Sequence, residues 1–200
     1  MAKLSASTSR TCLRSWIGSI RHLRLSGLGA LKVDIAYGGD TFVIADAAVL
    51  GFAIRPGEAR DLAETGVRIF AAANEQLGFT HLQATGWDHI SFCQFAGPLT
   101  REGNELQGSN AVVVRPGKID RSPTGSGCSA RTATQDARGL MGEGDVYRAC
   151  SIIGSEFICP DRVPGDWRPA GHNAGRYEAQ AETLSREFPM TLDLRRPAGL

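Results

Sequence analysis

The sequence predicts an α+β fold in which a mixed or antiparallel sheet is wrapped around helices. Three observations support this class: the alternating strand LKVDIAYGG, a long amphipathic helix that begins at Pro56, and further apolar strands in the second half of the chain. Together they give the element order β-β-α-β-β-loop-α-β-β. The strands do not alternate regularly with helices, so a doubly wound parallel sheet is not expected.

The first predicted elements are a strand pair and a helix. LKVDIAYGG alternates as a half-buried strand does, TFVIADAAVLGF follows as an apolar strand, and Gly38-Gly39-Asp40 between them predicts a tight turn. Pro56 at a first helical position and Gly78 after the last periodic residue predict a helix of about five turns over residues 56–77. The expected buried stripe of this helix comprises Leu62, Val67, Ile69, Phe70 and Ala73.

The second half of the chain predicts more strands and a shorter helix. HISFCQF alternates, and NAVVVRPG is typical of a buried strand ended by Pro and Gly. The small-residue segment GSGCSARTATQDARGL predicts a short helix ending at Gly139, and VYRACSIIGSEFIC predicts one or two strands. Residues 1–27 and 160–200 lack this periodicity. We therefore predict an irregular N-terminal segment (1–27), a folded lobe (28–159) and an atypical tail (160–200).

Composition limits the expected partners and compartment. The formal net charge of +1 gives no basic field for nucleic acid or an acidic membrane surface, and no segment has the roughly 20 apolar residues of a membrane span. The N-terminus lacks the apolar region of a secretory signal. An odd number of cysteines without a CxxC pair favours reduced thiols in the cytoplasm over disulfides or a zinc site. These are Cys12, Cys93, Cys128, Cys150 and Cys159.

The loop DRSPTGSGCSA at residues 120–130 is the main candidate site. A Gly-rich turn that runs into a helix presents unpaired backbone N–H groups and the positive end of the helix dipole, which together bind an anion. Gly125 and Gly127 allow a ligand to approach the backbone closely because they lack side chains. The loop has neither the Lys of a P-loop nor the spacing of a dinucleotide fingerprint. A carboxylate is therefore the expected ligand.

Five segments of the chain carry a family resemblance. They are VDIAYGGD, AANEQLGF, DHISFCQF, NAVVVRPGKIDRSPTGSGCSAR and SIIGSEF, and in this order they resemble the proline racemase superfamily from about Gly27 to Cys159. This superfamily includes proline racemases, 4-hydroxyproline 2-epimerases and trans-3-hydroxy-L-proline dehydratases. The resemblance implies a lobe of diaminopimelate-epimerase-like architecture, a proline-like amino acid as substrate, and chemistry without pyridoxal phosphate, metal or another cofactor.

The resemblance also implies roles for five residues. Racemases and epimerases of the family use two cysteines, one of them from a DRSPCG motif, and Thr124 stands at that position here. A hydroxyl is far less acidic than a thiol, so two-base racemisation should fail and the dehydratase branch is implied. Thr124 would be catalytic and hydrogen-bond the departing 3-hydroxyl. The N–H groups of Gly125 and Ser126 would hold the carboxylate, Asp120 the ring nitrogen, and His89 another part of the substrate.

Each of these side chains also has a simpler explanation. Asp120 could equally cap the turn before Ser122. His89 could equally be an ordinary residue of its strand. Cys128 lies one helical turn beyond Thr124 and is expected to be a small buried residue, as is Cys93 in its alternating strand.

The resemblance is incomplete at both ends of the chain. The MCGH-like motif that supplies the proton-abstracting cysteine in the family has no counterpart here, and Cys12 in TSRTCLRSW does not resemble it. We therefore expect a truncated or frame-disrupted chain that holds mainly the second lobe of the family. A proline racemase or 4-hydroxyproline 2-epimerase, an inactive remnant and an anion-binding module are the alternatives, and a homodimer is an open expectation.

Overall fold

The computed structural model describes residues 8–16, 21–79, 88–160 and 173–179, with side chains described over residues 21–79 and 88–159. These residues form ten strands and two α-helices. In chain order the elements are β1 (Thr8–Trp16), β2 (Arg21–Leu25), β3 (Gly29–Tyr37), β4 (Thr41–Asp46), α1 (Ala59–Gln76), β5 (Phe92–Glu102), β6 (Glu105–Val114), β7 (Lys118–Ile119), α2 (Gly125–Ala137), β8 (Val146–Ser151), β9 (Glu156–Pro160) and β10 (Asn173–Ala179).

The strands form one mixed sheet that curls around α2. The strand order is β1-β10-β9-β8-β6-β5-β4-β3-β2, with β7 beside β6. The pairs β4–β5 and β6–β8 are parallel, and β1 pairs with β3 as well as with β10, so the sheet meets itself. Inside the curve, nine of the 13 residues of α2 are buried. The predicted α+β class with a mixed sheet around a helix is therefore confirmed.

Helix α1 covers the outer face of the same sheet. Alternation along β4 places Phe42 and Ile44 with the α2 side, whereas Val43 and Ala45 pack in the cluster that contains α1. The helix begins at Ala59, after a 3₁₀ turn over Pro56–Glu58, so it starts slightly later than the predicted position. Both faces of β4 are buried because a helix lies on each side of the sheet.

The buried stripe of α1 agrees with the prediction except at one position. Its buried residues are Leu62, Gly66, Ile69, Phe70 and Ala73. The predicted Val67 is half-buried, and Gly66 faces the sheet in its place. A Cβ at Gly66 would lie 2.5 Å from Val113 Cγ2, so the close approach of α1 to β6 requires glycine there.

The remaining local predictions are confirmed except at the second strand, where TFVIADAAVLGF forms a strand only to Asp46 and Ala48–Leu50 is a 3₁₀ turn. β3 and β4 pair as an antiparallel hairpin, with Tyr37 opposite Thr41 across the predicted turn. The segment after the loop is helical, and Gly139 beyond its end has a φ of 66°. Cys93 and Cys128 are fully buried, as expected.

Strands also lie within the two segments that lack clear periodicity. β1 and β2 fall within residues 1–27, and β10 falls within residues 160–200. In β2 the alternation is carried by Leu23 and Leu25 alone, which is too short a pattern to predict a strand. The division of the chain at residues 27 and 159 stays a prediction.

Candidate active site

The predicted site lies where α2 enters the curved sheet. The Asp120 N–H donates to Val112 O at 2.9 Å, which fixes the start of the loop to β6. The turn between β3 and β4 lies against the first turn of α2. A Cβ on Gly38 would be 2.1 Å from Ser126 O and 2.4 Å from Ala130 N, so glycine is required for this approach. The end of β6, the β3–β4 turn and the first turn of α2 thus meet at this sheet edge.

The Asp120 carboxylate organises the loop. Its Oδ1 accepts hydrogen bonds from the Ser122 N–H at 2.9 Å and the Ser122 hydroxyl at 3.1 Å. Its Oδ2 accepts from the Thr124 hydroxyl at 2.6 Å. Asp120 therefore caps the turn before Ser122, as the simpler explanation proposed. A carboxylate has about four acceptor positions, so this cap leaves capacity for a ligand. The interaction with a ring nitrogen stays a prediction.

Thr124 has an unusual backbone conformation. Its φ is 62° and its ψ is 109°, whereas a β-branched residue almost never adopts positive φ. Residues held in such regions cost about 1–3 kcal/mol and cluster at functional sites. The conformation turns the Thr124 side chain toward Asp120, while the Thr124 carbonyl accepts the Cys128 N–H at 2.8 Å. The hydroxyl is consequently not used to cap the helix.

The first turn of α2 is left without a cap. The N-cap residue Thr124 makes no side-chain hydrogen bond that caps the helix, and the first turn contains no acidic residue. The backbone N–H groups of Gly125, Ser126 and Gly127 belong to the turn that has no acceptor within an α-helix. Because Gly125 and Ser126 are only half-buried, a ligand can reach them. The positive end of α2 thus lies beside the negatively charged Asp120 carboxylate. This arrangement is suited to bind a zwitterion, which carries one charge of each sign.

His89 lies at the same sheet edge but on a separate segment, directly before β5. Its Nδ1 is 3.7 Å from Asp88 Oδ1, and its side chain is 51% exposed. The neighbouring Ile90 is held through its backbone N–H and C=O by the Asn74 side chain, both at 2.8 Å. The backbone directly after His89 is therefore held by α1. Its role toward a substrate stays a prediction.

The four cysteines with described side chains provide no reactive thiol at the loop. Cys128 is fully buried beneath the loop, and its thiol donates to Pro123 O at 3.4 Å. Burial, reinforced by the neighbouring Cys159 thiol, raises the pKa of Cys128 well above its ordinary value. Burial likewise raises the pKa of Cys93 and of Cys150. The described residues also contain no group of three or more His, Cys, Asp or Glu side chains that would hold a metal.

Gln94 is a candidate that the sequence did not single out. It lies on β5, is fully buried, and faces α2. Its Oε1 would be 3.1 Å from a Cβ on Gly127, so the amide lies directly below the uncapped turn. Neither amide atom has a hydrogen-bond partner in the described part of the chain. The alternation of HISFCQF did not indicate that Gln94 is buried, because a polar residue in a strand is ordinarily expected to face solvent.

Replacing Gln94 with methionine is expected to stabilise the fold by about 1–2 kcal/mol. The substitution removes two buried polar atoms that lack partners and keeps the side-chain volume. Urea unfolding of both proteins measures the difference. Gln107→Met on the exposed side of β6 is the matched control and should leave stability nearly unchanged. A loss of stability in Gln94→Met alone would show that the amide has a partner in solution.

The comparisons with known proteins identify the family. The family model described as proline racemase matches residues 20–172, which is more than half of the chain. This chain belongs to the proline racemase family. The resemblance carried by the loop and its flanking strands is therefore confirmed at the level of the family. No helix within the described residues is long and apolar enough to cross a bilayer.

Two solved structures show the same fold. A hydroxyproline epimerase from Agrobacterium vitis, with bound trans-4-hydroxy-L-proline, superposes with a TM-score of 0.76 at 26% identity. A probable proline racemase from Agrobacterium radiobacter, with bound carbonate, superposes with a TM-score of 0.74 at 24% identity. Each match covers 86% of this chain, but only 48% and 50% of the respective structures. This chain thus spans about half the length of the proteins that it matches.

Proposed function

We propose that this chain takes part in the cofactor-independent dehydration of trans-3-hydroxy-L-proline to Δ1-pyrroline-2-carboxylate. One observation carries the proposal. Thr124 stands where the epimerases and racemases that the sequence resembles have a cysteine, and its hydroxyl donates to the Asp120 carboxylate at 2.6 Å. The loop thus carries the groups to which the resemblance assigns substrate binding, with a hydroxyl in place of the thiol.

The absence of a thiol at this position argues against inversion at the α-carbon. Racemisation needs a group that returns a proton on the face opposite to the base. The Thr124 hydroxyl is a very weak acid, and its single proton is donated to Asp120. The nearby Cys128 is buried, and burial raises the pKa of its thiol. Neither group is suited to exchange protons with a substrate carbon.

The uncapped helix start supports binding of the substrate carboxylate. In this proposal the carboxylate accepts hydrogen bonds from the N–H groups of Gly125 and Ser126 at the positive end of α2. The ring ammonium lies near Asp120, whose charge complements it. When the α-proton leaves, negative charge develops on the carboxylate, where the N–H groups already point. The same groups that bind the ground state therefore stabilise the carbanion-like transition state.

Loss of the hydroxyl completes the reaction. A base takes the α-proton, the released electron pair forms the C2–C3 double bond, and the C3–O bond breaks. The oxygen leaves as water with the proton from the base, and the resulting enamine tautomerises to the cyclic imine. Thr124 orients the 3-hydroxyl through a hydrogen bond. The base does not come from the described cysteines, which are buried or held away from the loop.

Proton NMR in D₂O tests this function. The purified chain is incubated separately with trans-3-hydroxy-L-proline, L-proline and trans-4-hydroxy-L-proline. The expected result is the cyclic imine from the 3-hydroxy substrate, with no deuterium at the α-carbon of the other two. Saturation-transfer NMR with trans-3-hydroxy-L-proline measures binding separately from turnover.

Variants connect the result to the site. Thr124→Val keeps the branched shape but removes the hydroxyl, and is expected to lower the dehydration rate by about 100-fold. Thr100→Val makes the same change at an exposed position of β5 and should retain the full rate. Deuterium entering proline or 4-hydroxyproline with inversion would overturn the proposal in favour of a racemase or epimerase. Unchanged spectra from a folded sample would support an inactive remnant.

Epimerisation of 4-hydroxyproline is the second candidate function, because the comparison with a solved hydroxyproline epimerase favours it. The solved hydroxyproline epimerase from Agrobacterium vitis binds trans-4-hydroxy-L-proline and is 26% identical to this chain over the aligned part. That activity requires a second proton-transfer group at the loop, and Thr124 is the residue present. The two candidates differ in their products, so the same spectra decide between them.

A further inference from the structure

The turn between β8 and β9 is anchored to the loop of the candidate site. It has the sequence SIIGS at residues 151–155, and the Ser155 hydroxyl donates to Arg121 O at 3.0 Å. Arg121 lies between Asp120 and Ser122 in the loop. Ser151 and Ser155 are both buried, at 5% and 6% exposed, so this contact is an interior one. The β8–β9 turn thus supports the site in addition to the three segments that meet there.

The hydrogen bonds of the two serines determine where their hydroxyl protons point. Ser155 Oγ lies 3.0 Å from Arg121 O and 2.7 Å from Ser151 Oγ. A carbonyl oxygen can only accept, so the single hydroxyl proton of Ser155 is donated to Arg121 O. The Ser151 hydroxyl must therefore donate to Ser155 Oγ. Ser151 Oγ in turn accepts the backbone N–H groups of Ile153 at 3.3 Å and Ser155 at 3.1 Å. Both hydroxyl protons are consequently directed toward the loop.

This chain of hydrogen bonds continues through one peptide group to Asp120. The carbonyl of Arg121 and the N–H of Ser122 belong to the same peptide unit. The carbonyl accepts from Ser155, and the N–H donates to Asp120 Oδ1 at 2.9 Å. A donor on the carbonyl polarises the peptide group and so strengthens the bond that its N–H makes. Because Asp120 Oδ2 accepts the Thr124 hydroxyl at 2.6 Å, the β8–β9 turn and Thr124 act on the same carboxylate.

We propose that Ser155 is a positioning residue for the Asp120 carboxylate and, through it, for Thr124. The peptide group after Arg121 is held at its carbonyl by Ser155, and this fixes the N–H that orients the carboxylate. Thr124 has a φ of 62°, and such a conformation persists only when its surroundings hold it in place. The catalytic consequence rests on the proposed function, in which Asp120 binds the ring ammonium and Thr124 orients the 3-hydroxyl.

The two serines differ in what their side chains hold. Without the Ser151 hydroxyl, two backbone N–H groups of the turn lose their acceptor, so this loss should destabilise the turn more. Without the Ser155 hydroxyl, the Arg121 carbonyl loses its donor, so this loss should disturb the loop more. A merely structural role of both serines predicts instead that stability and activity fall in the same order.

Ser155→Ala and Ser151→Ala test this role, with Ser26→Ala at an exposed position between β2 and β3 as the matched control. Urea unfolding is expected to give the lower midpoint for Ser151→Ala. Dehydration of trans-3-hydroxy-L-proline should instead be lowered more by Ser155→Ala, by about tenfold in kcat/KM against about threefold for Ser151→Ala. Ser26→Ala should match the wild type in both measurements. A dehydration rate that falls in the same order as the unfolding midpoints would overturn the inference.

The amide NMR signals of the loop test the positioning without any need for activity. Ser155→Ala is expected to shift the Ser122 and Thr124 signals more than Ser151→Ala does, and to weaken the binding of trans-3-hydroxy-L-proline measured by saturation transfer. Unchanged Ser122 and Thr124 signals in Ser155→Ala would contradict the proposed role. If the wild type does not dehydrate the substrate while these signals shift as expected, the proposed function fails and the positioning by Ser155 stands.

Discussion

Gly38→Ala is expected to destabilise the protein by about 3 kcal/mol and to displace the first turn of α2. The new Cβ would lie 2.1 Å from Ser126 O and 2.4 Å from Ala130 N, which are backbone atoms that cannot rotate away. Overpacking against backbone costs at the upper end of the usual range, because the helix or the turn must move as a unit. Urea unfolding measures the loss. Hydrogen exchange at Ser126 reports the displacement of the helix start.

Gly57→Ala is the control for this substitution. Gly57 lies in the turn before α1, and a Cβ there meets no atom within 4 Å. This variant should unfold at the wild-type midpoint or slightly above it, because alanine restricts the unfolded chain. Equal midpoints for Gly38→Ala and Gly57→Ala would show that the β3–β4 turn does not pack on α2 in solution. The candidate site would then lack one of its three supporting segments.

Arg131→Met is expected to destabilise the protein by about 3 kcal/mol or more. The guanidinium is buried inside the sheet and donates to Ser109 O, Asn110 Oδ1 and Gly97 O at 2.5–2.6 Å. It also lies over the Tyr147 ring, 5.5 Å from the centroid. Methionine fills much of the volume but removes the donor from the Ser109 and Gly97 carbonyls, each of which costs about 1–3 kcal/mol, whereas Asn110 Oδ1 keeps the Tyr147 hydroxyl at 2.9 Å. Thermal and urea unfolding measure the effect.

Arg60→Met provides the matched comparison on a surface helix. The Arg60 side chain is 88% exposed and pairs with Glu64 on the same face of α1. Exposed ion pairs contribute little to stability, so this variant should unfold almost as the wild type does. A similarly small effect from Arg131→Met would mean that the Ser109 and Gly97 carbonyls find other donors. The helix would then not depend on this cation for its place inside the sheet.

The loop shows how far residue chemistry alone reaches at the site. The Gly-rich entry to a helix predicted an anion site, and the structure places an uncapped helix start there. Asp120 and Thr124 were predicted as separate contributors. Their hydrogen bond at 2.6 Å and the positive φ of Thr124 depend on how β6 and β7 hold the loop. Such a contact depends on three-dimensional placement, so no spacing in the sequence predicts it.

The sequence by itself determined the local elements of this protein from β3 to β9, but not β1, β2 or β10. Alternation specified β3, an apolar run specified β4, the 3.6-residue period specified α1, and the glycines marked the turns, because each signal acts over a few neighbouring residues. Only the tertiary structure decided that α2 is enclosed. Its sequence is small and polar rather than apolar, and it is buried because the sheet closes around it through the β1–β3 pairing. That closure joins residues far apart in the chain, and it turns Gln94, Arg131 and Gln135 from expected surface residues into interior ones. Burial of this kind depends on long-range strand pairing, which no local pattern encodes.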